Sequence, residues 1–143
     1  MTGFVNPHTC IQRDGVELLT PSGSLAVVPY SDLKALCFVK DTGYADPWKP
    51  NLFFSSRPKT EGLWTRFVFR DGDRIDGLLP GNLLALDAEG FTVTPPDAGL
   101  SVARMFLPKQ ALTSVEVLGV IGAAAKRSRT PKPVPADQLK MFD

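Results

Sequence analysis

RFVFRDGDRIDGLLPGNLLALDAEGFTVTPPDAGLSVARMFLPKQALTSVEVLG, residues 66–119, is the stretch whose reading decides the fold. Phe67-Val68-Phe69 is an apolar run of strand formers, and Arg74-Ile75-Asp76-Gly77-Leu78-Leu79 is a second run. Asp71-Gly72 stands between them. Asp-Gly in that position predicts a hairpin, because glycine takes a positive φ without steric cost. After the turn, Arg74, Asp76 and Leu78 alternate with Ile75, Gly77 and Leu79. A period of two predicts one wet face and one packed face. Gly77 reads either as a bend or close backbone approach, or as incidental.

Pro80-Gly81-Asn82 breaks the run, and Leu83-Leu84-Ala85-Leu86 resumes it. Phe91-Thr92-Val93-Thr94 is a strand by β-branching and alternation. Pro95-Pro96 ends it, since proline cannot donate to a central ladder. Residues 100–107 form another strand, Pro108-Lys109-Gln110-Ala111 is a break of about one helical turn, and residues 113–118 close the set. Five short strands with tight turns predict a closed or nearly closed antiparallel barrel that buries its own edges.

The preceding chain reads as a shorter copy. Gly15-Val16-Glu17-Leu18-Leu19-Thr20-Pro21 aligns with Gly90-Phe91-Thr92-Val93-Thr94-Pro95-Pro96. Residues 27–39 align with residues 106–118, with Pro29 on Pro108 and Leu33 on Leu112, and Gly3-Phe4-Val5 aligns with Gly77-Leu78-Leu79. Nothing before Gly3 matches residues 66–76, so the first copy is read as incomplete. Its missing strand leaves an open sheet edge. The second copy, another chain or a segment upstream of Met1 could close it.

The division expected is therefore an incomplete unit at residues 1–43, a linker at 44–63 with a short strand at Leu52-Phe53-Phe54, a complete unit at 64–122, and a flexible basic, proline-rich tail at 123–143. Expected core residues are Phe67, Phe69, Ile75, Leu84, Leu86, Phe91, Val93, Phe106, Leu112, Val115 and Val117. In the first unit they are Val16, Leu18, Val27, Leu33, Leu36 and Phe38.

The totals exclude several classes. At 143 residues the chain makes one average domain or two very small ones. A net charge of +1 does not mark an obvious polyanion binder. No apolar run approaches the ~20 residues that span a bilayer, and the start lacks the basic-then-apolar pattern of a signal peptide. A cytoplasmic protein without a membrane partner is expected. Cys10 and Cys37 are the only cysteines, His8 is the only histidine, and there is no CxxC. Buried free thiols are expected rather than a disulfide or a zinc site.

No residue pattern announces catalysis. Asp71, Asp73 and Asp76 with Arg70 and Arg74 could bind a cation, but read better as a charged hairpin tip with screened pairs. Neither serine-rich stretch carries a nucleophile signature, His8 has no triad context, and the glycines fall singly at turns. No enzyme and no cofactor are expected. Trp48 and Trp64 read as packing anchors, with ligand stacking as the alternative.

The pattern around residues 67–79, followed by three more strands and a closing Val115-Glu116-Val117, resembles the Sm-like family of small bent barrels. The resemblance covers residues 66–119 well and residues 3–41 partly. It implies an all-β fold of two small bent Sm-like antiparallel barrel units in tandem, the first incomplete. It also implies self-association through strand contacts and RNA as a partner class. Asn82 stands earlier than that family's base-binding asparagine, and Pro108-Lys109-Gln110 occupies the place of its Arg-Gly pair, so no RNA-binding residue carries over. The two-module build is also similar to uncharacterised bacterial proteins.

Three functions fit. The first is a non-enzymatic structural or interaction module, presenting edges to a second copy or to another protein. The second is an RNA- or single-strand-binding protein of Sm-like type, combining a basic surface with stacking rings. For either, the candidate contact residues are Arg57, Lys59, Arg66, Lys126, Arg127 and Arg129. The third is an enzyme or small-ligand binder with a pocket between the barrels. The lack of catalytic chemistry puts the interaction module first.

Overall fold

The computed structural model describes residues 1–39, 48, 51–82, 84, 86–96 and 102–122. Its strands are β1 (Gly15–Leu19), β2 (Leu25–Pro29), β3 (Leu36–Val39), β4 (Gly62–Phe69), β5 (Arg74–Leu79), β6 (Gly90–Val93), β7 (Val102–Pro108) and β8 (Leu112–Ile121). The fold is all-β. Among the described residues the strands form three antiparallel sheets, ordered β1-β2, β3-β7-β6 and β5-β4-β8.

The Asp71-Gly72 turn closes the β4–β5 hairpin as the local sequence dictates. Gly72 has φ 96°, its N–H donates to the Phe69 carbonyl at 3.0 Å, and the Phe69 N–H donates to the Asp73 carbonyl at 2.8 Å. The register sets Phe67 opposite Ile75 and Thr65 opposite Gly77. One face of this hairpin therefore carries Phe67, Phe69, Ile75 and Leu79 into a core shared with Val93, Val102, Met105, Leu107 and Leu112. Gly77 lies on that face because there is no room for a side chain. An added Cβ would fall 2.9 Å from the Val93 Cβ. Gly77→Ala is expected to cost about 1–3 kcal/mol through overpacking, read as a lower urea midpoint. An unchanged midpoint would return this glycine to the incidental reading.

β7 holds two cores together because its alternate side chains face opposite ways. Met105 and Leu107 enter the core just described. Phe106 points the other way, into a second core with Cys10, Val16 and Tyr30. β3 lies along β7, with Leu36 opposite Phe106 and Phe38 opposite Arg104. The Tyr30 and Phe106 rings are 6.1 Å apart, and the Tyr30 hydroxyl donates to the Gln12 carbonyl. Lys34 adds a polar tie. Its ammonium reaches Asp71 at 2.5 Å and also bonds Asp73, while lying 4.8 Å from the Trp48 ring centre and 5.3 Å from that of Phe69. The lysine hydrogen bond holds the Asp71 carboxyl below its usual range, helped by the Asp73 N–H.

Several expectations change. Among the described residues, 64–122 do not form a closed barrel. Among the described residues β5 and β6 meet only at the Leu78–Thr94 bridge. Leu84 is 95% exposed rather than core, since it sits in a turn where the Asn82 carboxamide oxygen accepts its N–H; Leu83 and Ala85 lie outside the described residues. Val115, Val117 and Val27 are also exposed, at 39%, 54% and 52%. They stand on β8 and β2, each paired on one side only among the described residues. At Leu52-Phe53-Phe54, where a short strand was expected, only one isolated bridge forms, Leu52 to Ile75, parallel to β5.

Candidate functional site

Two places combine unusual chemistry with a defined geometry. The first is a buried carboxylate. Asp76 sits opposite Arg66 on the outer face of the β4–β5 hairpin, the face that alternation marks as wet. It is nevertheless fully buried. Residues 51–54 are laid over it, with the Asp76 N–H donating to the Leu52 carbonyl at 2.8 Å. Asn51 begins this cover in the left-handed region, at φ 56°. Arg66 Nε donates to Asp76 Oδ1 at 2.8 Å and Nη2 to Oδ2 at 3.2 Å. Trp64 Nε1 donates to Oδ2 at 3.1 Å, and the Phe54 N–H points to the same oxygen at 3.4 Å. Phe53 caps the guanidinium at 4.5 Å and Phe54 meets Trp64 edge-on at 6.3 Å. The Asp76 hydrogen bonds raise the Arg66 pKa further above its already high value. The carboxylate's oxygens are thus occupied by the protein's own donors, which makes this a structural lock rather than a general acid or base. Asp76 consequently leaves the acidic hairpin tip, where only Asp71 and Asp73 remain with Lys34.

The second place is the outer edge of β8. This ten-residue strand pairs with β4 from Gly62↔Ile121 to Phe69↔Leu112, and among the described residues nothing pairs with its other side. Its sequence, LTSVEVLGVI, carries one charge, Glu116, and no proline. Val115 and Val117 stand opposite Phe67 and Thr65, on the core-facing side, yet remain exposed. β2 is a second open edge, with Leu25 and Val27 exposed.

The residues expected to make contacts are dispersed. Arg66 belongs to the Asp76 lock. Arg57 is exposed, and its Nη2 donates to the Val120 carbonyl at 3.0 Å. Lys59 is exposed. Lys126, Arg127 and Arg129 lie outside the described residues. Trp64 serves the lock and Trp48 packs edge-on against Phe69 at 5.2 Å, which is packing in both cases. Cys10 is buried and Cys37 half-buried, and no disulfide joins them; burial pushes the Cys10 thiol up, against its own backbone N–H and Arg104.

A cleft of about 510 Å³ opens beside β5 and β6, lined among others by His8, Glu61, Asp87, Thr92 and Arg104. Its charges are of both signs, and among the described residues no hydrogen bond joins His8 to an acidic side chain. No group of three or more His, Cys, Asp and Glu there or elsewhere among the described residues could hold a metal. No helix among them is long and apolar enough to cross a membrane.

Neither the curated proteins nor the solved structures returned a match to this chain. A family model does match, over residues 1–119, and so takes in both cores, the Asp76 lock and most of β8. The chain belongs to that family, the family of unknown function DUF6982.

Proposed function

We propose that the chain is a non-enzymatic interaction module that offers the outer edge of β8 to a strand of another polypeptide. The observation that carries this reading is the exposed, nearly uncharged edge of a ten-residue strand. Open edges invite pairing, and soluble proteins ordinarily blunt them with lysine, proline or short length. β8 has none of these, and the same-face side chains of an added strand would stand beside its exposed valines. The main chain supplies the affinity in such pairing, which requires no catalytic group.

RNA or single-strand binding of Sm-like type is the alternative, supported by the exposed Arg57 and Lys59 and by the basic residues of the tail. Arg66 supports it less, because its guanidinium is committed to Asp76.

A photo-activated benzophenone side chain at position 117, in the chain expressed in its own host, tests the two readings together. A cross-linked product of protein character is expected. A product sensitive to ribonuclease would move the assignment to RNA, and the absence of any product would sink the edge reading.

A further inference from the structure

Resting on that reading, we infer that the strand received by β8 is β2 of a second copy of this chain. It is added antiparallel, in the register that β3 and β7 already use inside the molecule.

Among the described residues there is one junction of this kind. β3 lies against β7 with Leu36 opposite Phe106 and Phe38 opposite Arg104. Phe106 is seated among Val16 and Tyr30, with Leu33 and Leu36 packed around it.

The surroundings of that junction are built twice. β1 pairs with β2 as β6 pairs with β7. Gly15↔Pro29 corresponds to Gly90↔Pro108, Val16↔Val28 to Phe91↔Leu107, and Glu17↔Val27 to Thr92↔Phe106. A Cβ on Gly15 would fall 2.2 Å from the Val28 carbonyl oxygen, and one on Gly90 would fall 2.3 Å from that of Leu107. After each proline comes a three-residue 3-10 turn, Tyr30–Asp32 or Lys109–Ala111. Outside the β1–β2 hairpin stand two antiparallel bridges, Phe4↔Leu19 and Ile11↔Val16, and the first of them corresponds to Leu78↔Thr94 outside the β6–β7 hairpin. In this correspondence Val27 takes the place of Phe106, Leu25 that of Arg104, Val115 that of Leu36 and Val117 that of Phe38.

The two free edges are therefore the two halves of a second junction. Carrying the internal register across sets Val115 against Val27 and Val117 against Leu25. All four side chains are exposed in the single chain, Leu25 at 69%, and all four are apolar. The receiving side is also formed. A cleft of about 280 Å³ is lined by Phe91, Lys109, Leu112 and Val115, with Thr113 and Ser114. The first four correspond to Val16, Tyr30, Leu33 and Leu36, the residues around Phe106. Inside the molecule Phe106 is buried at this place; between molecules Val27 would enter it. Glu17, opposite Val27 on β1, would bring a carboxylate toward Lys109.

β8 and β2 are different surfaces, so the contact is head-to-tail. It generates a ring if the rotation closes and a filament if it does not.

Light scattering after gel filtration of the full chain tests this with Val117→Glu and Leu25→Glu. Both side chains are exposed, so both variants keep the fold, checked by circular dichroism. The wild type is expected at a multiple of the 15.5 kDa chain mass, and each variant alone at the single-chain mass. An equimolar mixture of the two variants is expected to give twice the chain mass and no more. Each retains one intact half, the β2 edge in the first and the β8 edge in the second. A wild type of single-chain mass at every concentration overturns the inference. If Val117→Glu dissociates the assembly and Leu25→Glu does not, β8 is the contact strand but β2 is not its partner. That result overturns the inference while leaving the interaction-module reading in place. A mixture that stays at the single-chain mass also overturns it.

Discussion

Replacing Asp76 with alanine is expected to lower the unfolding free energy by about 3 kcal/mol, measured by urea denaturation monitored by tryptophan fluorescence. Removing one partner of a buried ion pair typically costs ~3–5 kcal/mol, because the other charge is left uncompensated. Here the remaining charge is Arg66, which keeps about a third of its side chain in solvent, so the lower end applies. The indole N–H of Trp64 also loses its acceptor, and a buried donor left unpaired costs ~1–3 kcal/mol by itself. Domains of this kind have only ~5–15 kcal/mol in total, so the variant loses a large share of its stability. The cover formed by residues 51–54 loosens with it, because the Phe54 N–H and the Arg66 ring contact with Phe53 both depend on the carboxylate. The double replacement Asp76→Leu with Arg66→Met should recover part of the loss, since apolar side chains of similar volume need no partner. A loss below about 1 kcal/mol for Asp76→Ala would place the pair with ordinary surface ion pairs.

Phe106→Ala has the other large expected effect, a loss of about 3–5 kcal/mol from the cavity left by a fully buried ring. Its signature differs from that of other core truncations. Phe106 projects from β7 into the core that holds Cys10. Truncation should therefore open Cys10 to an aromatic disulfide reagent in the absence of denaturant. In the wild type that thiol is 1% exposed and its ionisation is suppressed by burial. Phe67→Ala removes a ring of the same size from the other core, and should cost a similar amount while leaving Cys10 slow to react. Val27→Ala, at the corresponding place on β2, should change single-chain stability by less than about 0.5 kcal/mol, as exposed surface substitutions do. Equal Cys10 reactivity in Phe106→Ala and Phe67→Ala would mean that the two cores do not open separately.

The features legible from residues alone were those that neighbouring residues impose on one another. Asp71-Gly72 makes its turn because the strands it joins are adjacent in the chain and glycine supplies the positive φ. The proline at the end of β2 and again at the end of β7 leads into a short 3-10 turn in both places. Alternation after the turn marked Ile75 for the packed face, and Ile75 is buried together with Phe67 and Phe69 of the preceding apolar run. The all-β class follows from such local signals. Asp76 could not be placed in the same way. A period of two says that two faces differ, but not what lies over each of them. Asp76 is dry because residues 51–54, distant in the chain, fold across the outer face, and because Arg66 and Trp64 arrive there from β4 in register. Leu52-Phe53-Phe54 was read as a short strand within a linker, yet nothing local named its destination. Val115 and Val117 show the converse. Their pattern is that of a core strand, yet they stay exposed on β8, which among the described residues pairs with β4 alone. Whether an apolar side chain is covered depends on which strands meet across long separations in the chain, and only the assembled sheets decide that.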